Sequence, residues 1–390
     1  MSYLANRVAN FGTTIFTEMT NMAVANNAVN LGQGFPDFAA PAFIKEAARQ
    51  AIADDINQYA PAAGRPRLRQ AIARQMERQY GLKVDPDNQI QVMHGATEAI
   101  FATIISLVDP GDEVIVFEPF YDSYVPSITM AGGVPRYYTL RAPDWAIDPT
   151  ELEALFSAKT KLIIFNTPHN PTGKVFNRTE LELIARLCQK YDVIAVSDEV
   201  YEYILFDGQQ HQLMAQIPGM ADRSITISSL GKTFSTTGWK IGWTIASPEL
   251  TNAVFRSHQF ITFAGAHPLQ EAAAIAFDMA HTEGYFEFLR EDYQEKRDFL
   301  TGALNAAGLP SIKPAGTYFV MVDISQLGFA NDIEFCRYLT KEVKVAAIPP
   351  SAFYHNPADG AGIARFTFCK KMETLELAAE RLAAWAARDS

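Results

Sequence analysis

A central α/β unit with a mostly parallel sheet flanked by helices, followed by a smaller α+β unit, is the fold that the 390-residue sequence predicts. Two observations carry this. From Ile90 to Ser228, short β-branched runs alternate with amphipathic helical stretches, the pattern of parallel β-α units. After Pro268 the alternation gives way to long helical periodicity with isolated strand patterns. At 48% hydrophobic residues, the chain is long enough for two or three domains and a full-sized core.

Residues 1–40 are too irregular to stand alone and are expected to form an arm that packs on the smaller domain or on another subunit. A large domain is expected over 41–285. Its strands are read at Ile90–Met93, Glu113–Phe117, Val134–Leu140, Lys161–Phe165, Val193–Ser197 and Ser224–Ser228, with helical crossovers at Thr97–Leu107 and Arg178–Lys190. One long helical stretch continues to Ala307. A strand at Gly316–Ile324, a helix near Asn331–Glu342, a strand at Gly362–Cys369 and a final helix build the smaller domain, 286–390.

The net charge of -11 argues against nucleic acid and anionic membrane as partners, since both select basic patches. Three scattered cysteines, Cys188, Cys336 and Cys369, lack C-x-x-C spacing and point to neither disulfides nor a metal site. The N-terminus lacks a secretory pattern, and no segment reaches the ~18 apolar residues that span a bilayer, so a cytoplasmic enzyme is expected. Asn177-Arg178-Thr179 matches a glycosylation acceptor by chance in that setting.

The stretch Ser228–Gly242, SSLGKTFSTTGWKIG, sets Lys232 among small, hydroxylated and glycine residues, with Lys240 eight positions on. A P-loop is ruled out by spacing, because the glycine it needs five residues before the Gly-Lys pair is Thr226. A lysine that condenses with an aldehyde, beside a phosphate site, is what pyridoxal phosphate requires. Lys232 fits the first role, and Ser229 with Lys240 the second. Taken alone, the stretch reads equally well as an ordinary turn.

Ligands of doubly wound sheets sit beyond the carboxyl ends of the strands, which gives the residues there priority. Asp198 ends one strand; it is either a helix cap or the carboxylate that keeps a pyridine nitrogen protonated, with Tyr201 donating to the cofactor's phenolic oxygen. Asn170 lies in a rigid Pro/Gly turn from which its amide reaches that oxygen and a substrate carboxylate, while His169 reads as a local turn partner. Ala96 and Thr97 sit at a strand-to-helix junction, where free amides and the helix dipole favour a phosphate; Thr97 also reads as an N-cap. Tyr121 is placed to stack on a pyridine face, although aromatics there are commonly core. Arg365 stands in an alternating strand, either as a solvated edge residue or as the fork that grips an α-carboxylate, each charged hydrogen bond worth roughly 1.5–3 kcal/mol.

NPTG at 170–173, SDEVY at 197–201, SSLGKTF at 228–234, GWKIGW at 238–243 and RFTFCK at 365–370 resemble the class I/II aminotransferases of pyridoxal phosphate fold type I, in order and along nearly the whole chain. LGQGFPDF at 31–38, NQYAPAAG at 57–64 and EPFYDSY at 118–124 look most like the bacterial methionine aminotransferases and the kynurenine aminotransferase / glutamine transaminase K group. The resemblance implies a homodimer with active sites at the interface. It implies Tyr59 reaching the neighbouring subunit's phosphate, Phe263 lining that subunit's substrate pocket, and Phe16, Gly34 and Phe353 as further pocket positions. Lys240 departs from the arginine of many relatives and grips phosphate as a point charge. No motif supplies a second arginine, which favours neutral, apolar or aromatic donors: methionine first, with phenylalanine, tyrosine, glutamine and kynurenine. The competing readings are a β-lyase acting on cysteine S-conjugates and a non-catalytic cofactor-binding regulator.

Overall fold

A computed structural model describes residues 3–12 and 14–387. After β1 (Val29–Asn30), strands β2 (Ile90–His94), β3 (Glu113–Glu118), β4 (Val134–Thr139), β5 (Thr160–Asn166), β6 (Ile194–Asp198), β7 (Ser224–Ser229) and β8 (Ile241–Ala246) form a seven-stranded sheet in the order β2-β8-β7-β6-β5-β3-β4. Pairing is parallel throughout except at β8, which runs antiparallel to both β2 and β7.

Both faces of this sheet are covered, and the side-chain alternation of its strands shows it. Val114, Val116, Leu162, Ile164 and Val196 join the core on one face, shared with the helices Gly95–Leu107 and Pro248–Ile261. Ile115, Phe117, Ile163, Phe165 and Ala195 join the core on the other, beneath the helix Arg178–Tyr191. Strands buried on both faces read as continuous apolar runs, which is why they were visible in the sequence.

Past the sheet come β9 (Ser311–Ile312), β10 (Phe319–Asp323), β11 (Val345–Ala346) and β12 (Ile363–Thr367). An antiparallel sheet forms in the order β12-β10-β9, while β11 pairs in parallel with β1, so the N-terminal segment is tied to the C-terminal part of the chain. Among the described residues no helix is long and apolar enough to cross a membrane.

Three expectations need correction. Ile241–Ala246 is a strand, one that the list of predicted strands omits. The long helix to Ala307 is two helices, His267–Thr282 and Tyr285–Ala306, broken at Gly284 with φ +62. Thr97 is not an N-cap: the helix starts at Gly95, with His94 in the capping position and no side-chain cap.

Register places the site. In the parallel pairing Asn166 stands opposite Asp198, and Ser229 of β7 stands opposite Gly242 of β8. The carboxyl ends of β5, β6 and β7 therefore meet the start of β8 and the end of β2 at one edge, where open α/β sheets bind ligands.

Candidate active site

A cleft of about 240 Å³ opens at that edge, lined by residues from both parts of the molecule. Ten of the residues drawn from the strand ends and motifs meet in it: Ala96, Thr97, Tyr121, Asn170, Asp198, Tyr201, Ser229, Lys232, Lys240 and Arg365. Phe16 and Gly34 line it too.

Lys232 rides on a single helical turn, Leu230–Thr233, that follows β7 directly. Its amine lies 5.7 Å from the ring centroids of both Tyr201 and Tyr318 and makes no hydrogen bond among the described residues. Burial pulls its pKa down to about 8, partly countered by the charge of Asp198. A desolvated amine is deprotonated, and therefore nucleophilic, at far lower pH than a solvated one.

Asp198 is not a helix cap. One carboxylate oxygen accepts a 2.6 Å hydrogen bond from the Tyr124 hydroxyl; the other accepts a longer one, 3.4 Å, from the Val200 amide. Burial pushes its pKa up to about 6, with the Tyr124 bond opposing. Its backbone carbonyl accepts from the Asn166 side-chain amide at 2.7 Å and from the Thr167 N–H at 3.0 Å. Asn166 also accepts from the Asn170 N–H at 2.6 Å, so one side chain couples the end of β6 to the turn that presents Asn170.

Arg365 is no solvated edge residue. It is 2% exposed, and its guanidinium faces the rings of Phe319, Phe16 and Phe353 at 4.2, 5.2 and 5.3 Å. It donates to Asn170 Oδ1 at 3.2 Å and to the Gly32 carbonyl at 2.9 Å, and its Nε has no partner among the described residues. Burial lowers its pKa to about 10, which leaves it cationic at neutral pH. A buried cation without an ion pair among the described residues is a site waiting for an anion.

At the opposite end, Lys240 donates to the Thr97 hydroxyl at 3.3 Å, beside the first turn of the helix Gly95–Leu107, whose amides have no partner within the helix. A Cβ on Gly242 would stand 2.5 Å from the Gly95 carbonyl carbon and 2.7 Å from the Ala96 nitrogen, so only glycine lets this turn close onto β8.

Other predicted residues stand apart. Phe353 does not line the cleft: it is stacked behind Phe16 at 5.6 Å, because Phe16 occupies the wall in front of it. Tyr59 and Phe263 pack against each other at 5.5 Å, 83% and 45% exposed, away from this chain's own cleft. His169 is a turn partner, 2.8 Å from the Thr172 hydroxyl, and burial drives its pKa down to about 3.

Sequence reasoning missed Asn166, Tyr124, Phe319 and a buried set behind the Asp198–Tyr201 turn. There Glu202 accepts from Ser228 at 2.6 Å and from Tyr80 at 2.5 Å, and His211 lies 2.9 Å from Glu199. Asn166 had a usable signal, since it ends a strand. Tyr124 stands 74 residues from Asp198, and Tyr80 stands 122 from Glu202, so no local pattern joins them.

A desolvated lysine, a carboxylate at the sheet edge, and a helix N-terminus paired with a second lysine fit pyridoxal phosphate in donor set. The cleft defines a pyridoxal-phosphate enzyme of fold type I. The sequence profile of aminotransferase class I and II matches residues 26–382. The chain is 42% identical to the methionine aminotransferase of Escherichia coli (strain K12), with 97% of each chain covered. It is also 42% identical to kynurenine--oxoglutarate transaminase 3 of Mus musculus, covering 99% of this chain and 91% of that one. An Escherichia coli structure assigned a methionine aminotransferase function superposes with a TM-score of 0.95 at 40% identity, covering 98% and 100%. The N-succinyldiaminopimelate aminotransferase structure from Mycobacterium tuberculosis gives 0.94 at 42%, covering 98% and 99%.

The chain belongs to the class I and II aminotransferases. It is a pyridoxal-phosphate-dependent transaminase that acts on amino acid and 2-oxo acid substrates.

Proposed function

We propose that this transaminase takes the amino group from a neutral apolar or aromatic L-amino acid, methionine before the others, at a site completed by a second copy of the chain. Relatives named for methionine, kynurenine and N-succinyldiaminopimelate stand at the same 42% identity, so likeness alone does not choose among them. The observation that carries the choice is the cleft wall. Beyond Lys232 and Lys240, Arg365 is its cation among the described residues, and the rings of Phe16 and Phe319, which Arg365 faces, line the cleft beside it. A donor with a second carboxylate would bury a charge with no partner, which costs several kcal/mol in such surroundings.

Bound pyridoxal phosphate supplies an aldehyde that takes up the amino group and a ring that delocalises charge from the substrate's α-carbon. Lys232 would hold it covalently, and its desolvated amine, when free, would carry the substrate's α-proton as base and then acid. Asp198 would hold the ring nitrogen and Tyr121 would cover the ring. Asn170 and Tyr201 would donate to the phenolic oxygen. Ser229, Lys240 and the amides of Ala96 and Thr97 would hold the phosphate. Arg365 and Asn170 would fix the substrate carboxylate, and Gly34 lets its segment close onto the Phe319 ring beside Arg365, since a Cβ there would meet that ring at 2.5 Å. The division at residues 40 and 285 belongs to this reading, supported by the separate sheets on either side of the helix Tyr285–Ala306. Tyr59 and Phe263, exposed here, are assigned to the partner's site.

Incubating stoichiometric holoenzyme with L-methionine and no oxo acid is expected to yield 2-oxo-4-methylthiobutanoate. kcat/KM for L-methionine is expected to exceed that for L-aspartate by about 100-fold or more. Equal use of the two donors would refute the assignment of specificity. Lys232→Ala should abolish transfer while keeping the wild-type fold by circular dichroism; full turnover in that variant removes Lys232 from its role.

A further inference from the structure

We infer that Tyr124, which does not touch the cleft, is a positioning residue for the cofactor's ring: its hydroxyl fixes the Asp198 carboxylate so that one oxygen stays aimed at the ring nitrogen. The inference rests on the assignment of Asp198 to that nitrogen.

Tyr124 opens the helix Tyr124–Ala131 and is 2% exposed. Its hydroxyl reaches Asp198 Oδ2 at 2.6 Å, and among the described residues Oδ1 has only the longer, 3.4 Å hydrogen bond from the Val200 amide. A carboxylate has a free torsion about its last bond, and one short bond to a rigid phenol removes that freedom. The donor matters as well as the distance. A lysine or arginine in this place would neutralise Asp198 and weaken its hold on a pyridinium, whereas a phenol orients the anion and leaves its charge. Burial beside Asp198 pushes the Tyr124 hydroxyl well above its ordinary pKa, so it remains a donor at any working pH. The same ring meets Tyr121 edge-on at 5.7 Å and 79°. Tyr124 thus braces both the residue that grips the ring's edge and the one that covers its face.

Tyr124→Phe keeps the contact with Tyr121 and deletes only the hydroxyl. The experiment is a titration of the apo-proteins with pyridoxal phosphate and with its carbocyclic analogue, in which C–H replaces the ring nitrogen. Affinity is read from the quenching of tryptophan fluorescence. Tyr124→Phe is expected to weaken pyridoxal phosphate binding about 10-fold, as for a hydrogen bond to a charged group, and to change binding of the analogue by no more than about twofold. Equal losses for both ligands would mean a merely structural role and overturn the inference, as would no loss for either. Asp198→Asn separates this from the underlying assignment. It should bind pyridoxal phosphate more weakly than wild type, and adding Tyr124→Phe to it should weaken binding no further. If Asp198→Asn binds as wild type does, the assignment of Asp198 falls and the role of Tyr124 falls with it.

Discussion

Lys232 owes its chemistry to what surrounds it: two tyrosine rings at 5.7 Å, no hydrogen bond among the described residues, and a pKa drawn down to about 8 by burial. The sign of its pH dependence follows. Only the neutral amine attacks an aldehyde, so the rate at which apo-protein captures pyridoxal phosphate should climb with pH to about 8 and then level. An ordinary solvated lysine would keep climbing toward ~10.4. Stopped-flow capture rates across pH 6–10 check this, and a rise without a break near 8 would show that the amine is not desolvated. Arg365 is fixed just as locally, between three aromatic rings and two acceptors. Arg365→Lys keeps the charge but loses the fork, and is expected to lower kcat/KM for amino donors about 100-fold while cofactor affinity, measured by titration, holds. These residues were legible in the sequence because each sits in a motif or just past a strand, where chemistry-bearing types stand out. Tyr124 was not, because what gives it meaning is Asp198, 74 residues away.

Elements decide how closely those residues converge. The turn from β2 into the helix Gly95–Leu107 lies flat on β8 because Gly242 has no side chain to hold it off. Gly242→Ala would drive a methyl group into the backbone of Gly95 and Ala96, and is expected to cost about 1–3 kcal/mol of apo-protein stability, as overpacking does. It should also weaken cofactor retention, since Ala96 and Thr97 move with the turn. Thermal unfolding together with cofactor titration tests both, and unchanged values for the two would show that the turn adjusts freely. The parallel strands were readable from composition, since burial on both faces leaves a run such as Leu162–Phe165 apolar throughout. β8 carries Gly242 and Trp243 inside the GWKIGW motif, which draws the eye as a signature and hides a strand. The break at Gly284 was missed because helical periodicity resumes at once, with Tyr285 and Phe286 buried in the same core.

At the scale of the whole molecule, one chain leaves two things unaccounted for. Tyr59 and Phe263 form an aromatic pair on the surface, with Phe260 nearby in sequence at 86% exposure, and the motif resemblance gives both members of the pair roles in a site they do not reach in their own chain. The shared-site homodimer proposed above would resolve both points, because the apolar surface would become interface and the pair would enter the partner's cleft. Subunit hybrids offer a direct test. On that proposal, Lys232→Ala would remove the covalent anchor from its own cleft, and Tyr59→Ala a phosphate contact from its partner's. Each parent is assayed at a cofactor concentration that leaves Tyr59→Ala empty. In a hybrid of the two, one cleft lacks both residues and the other has both intact. Random reassociation of equal amounts makes half the dimers hybrids, so activity should return to about a quarter of the wild-type level. If Tyr59 served its own subunit, every cleft in the mixture would carry one defect and activity would stay at the parental level.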